Sequence, residues 1–114
     1  VMDMEIYSYD KLLGVDIDIG KQKRLEYGDS CMTHAMLFTG VDVKGKGFRK
    51  WRVENSWGDK IGDKGYYYMS DKWFDEYMYE IVIDKKYLPK DIVKLYKSEP
   101  NELSPWDPMG SLAY

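Results

Sequence analysis

With 114 residues, 44% of them hydrophobic, the chain suffices for one domain around one core, or for a piece of one. Its 17 basic and 20 acidic residues are mixed along the sequence for a net charge of -3, which excludes a global pull toward nucleic acid or an anionic membrane. A single cysteine excludes an internal disulfide, no apolar run is long enough to span a bilayer, and no signal-peptide pattern opens the chain, so the expected setting is reducing and cytoplasmic.

Residues 2–7 (MDMEIY) alternate as a strand does, and the next stretch mixes turn residues with a basic helical turn around Lys21 to Tyr27. The run THAMLFTGVDV, Thr33 to Val43, is β-branched and aromatic enough for a strand, and Lys44-Gly45-Lys46-Gly47 is a hairpin turn. Phe48 to Trp57 is then the partner strand, with Trp51, Val53, Asn55 and Trp57 on one face because side chains alternate. A Gly-rich connection leads to a third strand, Gly65 to Ser70, which completes an antiparallel meander. Ser70 or Asp71 caps a short helix, YMYEIVIDKKY alternates as a further strand, and Pro89 opens an amphipathic helix carrying Ile92, Val93, Leu95 and Tyr96. Beyond Pro100, with Pro105, Pro108 and Gly110, the chain ends in an extended tail that keeps Trp106, Met109 and Leu112, residues that suit docking better than solvent. The fold class expected is α+β.

The only cysteine and the only histidine, Cys31 and His34, sit three positions apart. A cysteine peptidase needs a thiolate, an imidazole that accepts and returns its proton, and a group that fixes the imidazole's tautomer. His34 and Asn55 suit the second and third roles. The hairpin sets their strands side by side, about 5 Å apart, with Trp57 on the same face to keep water out. Cys31 does not suit the first role, since an offset of three within a strand puts it on the opposite face from His34. The plainer reading of Cys31 is a small, half-buried thiol. A histidine and its orienting partner are present, and the nucleophile is not. One His and one Cys do not supply a zinc site, so no metal and no cofactor are expected.

MTHAM, KWRVENSWG, KGYYYMSDKWFDEYMYEIVID and the ending WDPMGSLA together resemble the C-terminal portion of the bleomycin hydrolase and aminopeptidase C branch of papain-like cysteine peptidases. THA and NSWG alone indicate the wider papain class, and WDPMG selects the branch. The resemblance implies the antiparallel, barrel-like C-terminal lobe of that fold, with His34 as catalytic base, Asn55 as its orienter and Trp57 covering their hydrogen bond. It also implies a nucleophilic Cys and an oxyanion-hole Gln on a helix of another lobe, absent from these residues, so the 114 residues alone are expected to be inactive. Residues 1–98 would then be the His- and Asn-bearing part of the peptidase domain. Residues 99–114 would be an arm entering the active-site cleft, where a terminal carboxylate meets the substrate's α-ammonium. Ala113 matches the usual end of that arm, and Tyr114 is one residue beyond, trimmed in related proteins.

The partners so implied are peptides with a free amino terminus, the missing lobe, and five further copies in a hexamer. The mid-chain character of Val1-Met2-Asp3-Met4-Glu5-Ile6 fits a fragment. A non-catalytic half domain serving in binding or assembly is the alternative. Lys44, Lys46, Arg49, Lys50 and Arg52 gather around the hairpin, but a charged hairpin is usually a solvated surface, and nucleic-acid binding is the weaker reading.

Overall fold

A computed structural model describes residues 1–112. Its centre is a three-stranded antiparallel sheet in the order β1-β2-β3, formed by Leu37–Lys44, Gly47–Glu54 and Tyr66–Ser70. The meander read from the sequence is therefore present, as an open sheet rather than a closed barrel. Gly45, at φ +63°, supplies the left-handed residue of the tight turn between β1 and β2. Phe38, Val53 and Tyr67 form one row across the three strands, and Val41, Trp51 and Met69 form the next. Val53 and Met69 are buried, and with Leu25 they are the buried apolar residues among those described.

The described residues hold four short α-helices, α1 (Tyr9–Leu13), α2 (Gly20–Glu26), α3 (Asp71–Tyr77) and α4 (Lys90–Tyr96), of which α3 packs on β2 and β3 and α2 packs on α3. Ser70, the last residue of β3, caps α3 by accepting the Trp73 N–H at its Oγ, which resolves the choice between Ser70 and Asp71. The helix lays Phe74 flat on Trp51, with ring centroids 4.6 Å apart, and Phe38 meets both rings edge-on. Trp51 Nε1 donates to Asp71 Oδ1 at 2.9 Å, so the indole's polar edge is satisfied.

The C-terminal end of α3 is closed by α2. Lys21 Nζ donates to the Asp75 carbonyl at 2.8 Å, and the buried Arg24 donates to both the carbonyl and the carboxylate of Glu76 at 3.0 and 2.7 Å. Cations there answer the unpaired carbonyls of a helix end. Burial works against the charge on Arg24, but the Glu76 hydrogen bond and the neighbouring Tyr77 outweigh it and hold the guanidinium pKa above its ordinary value. The Arg24 carbonyl in turn accepts the N–H groups of Asp29 and Ser30, which fixes the chain's exit toward β1.

Four expectations change. Residues 2–7 contribute one parallel bridge, Met2 to Met69 on the free edge of β3, and no strand. Residues 77–87 form no strand: Tyr77 ends α3, 78–84 stay outside any ladder because no neighbouring strand among the described residues offers them hydrogen bonds, and Lys85–Tyr87 is a 3-10 turn. Pro89 stands at the N-cap of α4 rather than inside it. The tail runs without regular structure and coils into a short 3-10 turn, Pro108–Leu112, which lies beside α2.

The chain exposes 9955 Å² of surface, whereas a compact monomer of 13.5 kDa exposes roughly 6,500 Å². Its radius of gyration is 16.9 Å, against about 13 Å for a compact domain of this length. Among the described residues no helix is long and apolar enough to cross a membrane.

Candidate active site

β1 begins at Leu37 and β2 ends at Glu54, so His34, Asn55 and Trp57 all lie just beyond the paired region. That corrects the expectation that Thr33–Val43 and Phe48–Trp57 are strands throughout. The last pair is Leu37 opposite Glu54, and continuing that register outward by three residues sets His34 across from Trp57 and diagonal to Asn55. Diagonal neighbours are within reach of a long side chain. The two segments leave the ladder together and bring the three residues into contact.

His34 Nε2 lies 2.8 Å from Asn55 Oδ1. The same Oδ1 accepts the Ser56 backbone N–H at 2.8 Å. A backbone N–H can only donate, so the group facing it is the amide oxygen, and an amide oxygen can only accept. Nε2 therefore carries the proton in the neutral ring, and the lone pair falls on Nδ1. Asn55 is itself buried, with 8% of its surface accessible, and its N–H donates to the Gly65 carbonyl at 3.0 Å. Gly65, at φ +86° and pressed against the Gly58 carbonyl, keeps the loop from Asn55 to β3 close. The imidazole is exposed and its hydrogen-bond partner Asn55 is fixed from below.

Trp57 sits in the turn after β2, with its ring centroid 5.3 Å from that of His34. It covers one side of the imidazole while remaining 60% exposed. Cys31 is also exposed and, among the described residues, makes no hydrogen bond. It lies in the same irregular segment as His34, so the strand-offset reasoning had the wrong local structure, yet nothing joins the two side chains. Cys31 is exposed where half-burial was expected. Ala113 and Tyr114 lie outside the described residues. Among the residues of the arm, Trp106 is 84% exposed and Met109 half so.

Two surface hollows of about 130 and 400 Å³ lie against β3 and along the outer sheet face, and neither is lined by His34 or Asn55. Among the described residues no three His, Cys, Asp or Glu side chains gather to hold a metal. Two contributors were not legible in the sequence. Ser56 acts through its backbone, and Tyr67, which meets Trp57 edge-on at 6.4 Å, is hidden within a run of three tyrosines.

The sequence matches the Peptidase C1-like family over residues 1–110. It is 49% identical to aminopeptidase C of Lactobacillus delbrueckii subsp. lactis, covering 100% of this chain and 26% of that protein. It is 48% identical to bleomycin hydrolase of Gallus gallus, covering 99% of this chain and 26% of the relative. A crystal structure of pepw from Lactobacillus rhamnosis superposes with a TM-score of 0.82 at 51% identity, over 97% of this chain and 26% of that one. The fold is thus papain-like, of the α+β class. The chain belongs to the Peptidase C1-like family and spans about a quarter of the length of the relatives it matches.

Proposed function

We propose that these residues are the His- and Asn-bearing part of a cysteine aminopeptidase that removes amino-terminal residues from peptides. The observation that carries this reading is the His34 Nε2 to Asn55 Oδ1 hydrogen bond beside Trp57, on a chain 45 to 49% identical to aminopeptidases C and bleomycin hydrolases. The nucleophilic cysteine comes from a lobe outside the 114 residues, in line with the 26% coverage and with the surplus exposed surface. These residues alone have no peptidase activity.

His34 Nδ1 takes the proton of that thiol, which leaves a thiolate beside an imidazolium. The thiolate attacks the peptide carbonyl carbon, the C–N bond breaks, and the imidazolium protonates the departing amine. Water, deprotonated by the same imidazole, then hydrolyses the thioester. Asn55 keeps the ring in the tautomer this sequence requires, and Trp57 shields their hydrogen bond.

Residues 99–114 form the arm whose terminal carboxylate, at Ala113 after loss of Tyr114, receives the substrate's α-ammonium. The assembly is a cytoplasmic homohexamer. Nucleic-acid binding does not enter the reading: Arg49 pairs with Asp42, and Arg52 is occupied by Thr39 and the Tyr66 ring, which reduces the free charge around the hairpin.

The test is His34→Ala in the native gene product, with turnover of aminoacyl amides followed alongside assembly by sedimentation. Nearly complete loss of turnover with assembly intact is expected. Retained turnover, or a native product of only these 114 residues, would favour a binding module instead.

A further inference from the structure

We propose that Tyr67 is a positioning residue for the His34–Asn55 pair, acting through Trp57; this rests on the peptidase reading above. Trp57 lies beyond the end of β2 in a turn and is 60% exposed, so no ladder holds its ring. The aromatic rings that meet it among the described residues are His34 at 5.3 Å and Tyr67 at 6.4 Å, the latter edge-to-face at 88°. Tyr67, by contrast, stands in β3 directly across from Val53, which is fully buried. The rigid ring of the pair is the tyrosine.

Behind Tyr67 the chain makes room for it. Gly62 adopts φ +72°, and a Cβ there would come within 2.9 Å of two Tyr67 ring carbons. Only a bare α-carbon lets the loop and the phenol ring approach this closely. The Tyr67 hydroxyl is buried and has no hydrogen-bond partner among the described residues, so it contributes no polar anchor. What Tyr67 delivers is a ring fixed by the sheet and set at right angles to the indole. Gly62, Tyr67, Trp57 and His34 then form one line of contacts from the loop to the imidazole. Without the tyrosine ring the indole is free to swing toward solvent, the His34–Asn55 bond is wetted, and the imidazole loses its orientation.

The experiment uses the native gene product with Tyr67→Phe, Tyr67→Leu, Trp57→Ala and the Tyr67→Leu/Trp57→Ala double variant. The readouts are KM and kcat per folded enzyme, the folded species being isolated by size-exclusion chromatography and checked by circular dichroism so that misfolded enzyme is excluded. Tyr67→Phe keeps the ring and should hold kcat within about twofold. Tyr67→Leu fills the space without an aromatic ring and should lower kcat about 10-fold or more with KM unchanged, since misorientation is felt in the chemical step. The double variant should fall little below Trp57→Ala, as action through Trp57 demands. An unchanged kcat in Tyr67→Leu, an equal loss in Tyr67→Phe, or losses that multiply in the double variant would each overturn the proposal. His34→Ala runs beside them: turnover surviving there defeats the peptidase reading, and this one with it, whereas its loss together with a silent Tyr67→Leu defeats only the role of Tyr67.

Discussion

At the level of single residues, the chemistry of the site reduces to what one amide oxygen can do. Asn55 Oδ1 accepts twice, from Ser56 N–H and from His34 Nε2–H, and the second bond leaves the Nδ1 lone pair free, the atom that takes the thiol proton in the proposed reaction. Removing the amide leaves the base in place with a less certain orientation. Asn55→Ala should therefore lower kcat about 10- to 100-fold, the rate equivalent of one charge-assisted hydrogen bond, while His34→Ala abolishes turnover. Steady-state kinetics on an aminoacyl amide distinguish them, and equal losses would mean that Asn55 does more than orient. That Asn55 is the candidate for the orienting role was legible from its spacing to Trp57 and Gly58 and from the hairpin between it and His34. The tautomer was not, because it depends on which hydrogen-bond partners meet one oxygen in space.

At the level of elements, the site depends on where the β1–β2 ladder stops. Both strands run eight residues, and the three site residues lie beyond the last pair, in segments held by loop hydrogen bonds and by α2. The helix α3 braces the opposite end of the cluster, placing Phe74 on Trp51. Its cap is Ser70 Oγ, so Ser70→Ala should destabilise the domain by about 1 kcal/mol. Urea unfolding of the native gene product checks this; an unmoved midpoint would show that the contacts of Trp51 and Phe74 hold α3 without its cap. The hairpin, α3 and α4 were readable because their signals are local: a Lys-Gly turn, a serine cap, a proline before an apolar face. The strand read into 77–87 failed because a strand requires a partner, and alternation reports only which residues could be buried if one came.

At the level of the whole molecule, surface is the telling quantity. Val82 is 95% exposed, with Ile81 and Ile83 also exposed, and Trp106, Leu95 and Tyr96 show most of their area. Exposed apolar area on this scale is what interaction faces leave uncovered. The isolated 114-residue chain is accordingly expected to bind a hydrophobic dye strongly and to hydrolyse no aminoacyl amide, while the native gene product does the reverse. Fluorescence titration and a peptidase assay on the two samples test it. Activity in the isolated chain would require a nucleophile within it, and Cys31 would have to be reconsidered.

The sequence by itself determined the family, the α+β class and the hairpin, and it marked His34, Asn55 and Trp57 as the candidate site, because motif spacing, turn chemistry and residue type are properties of neighbours along the chain. Only the tertiary structure decided that these three lie beyond the ladder, that Nε2 rather than Nδ1 faces Asn55, and that Tyr67, rather than Tyr66 or Tyr68, backs the indole. Those facts depend on register, strand length and the path of a loop through space, where residues 10 to 21 positions apart meet.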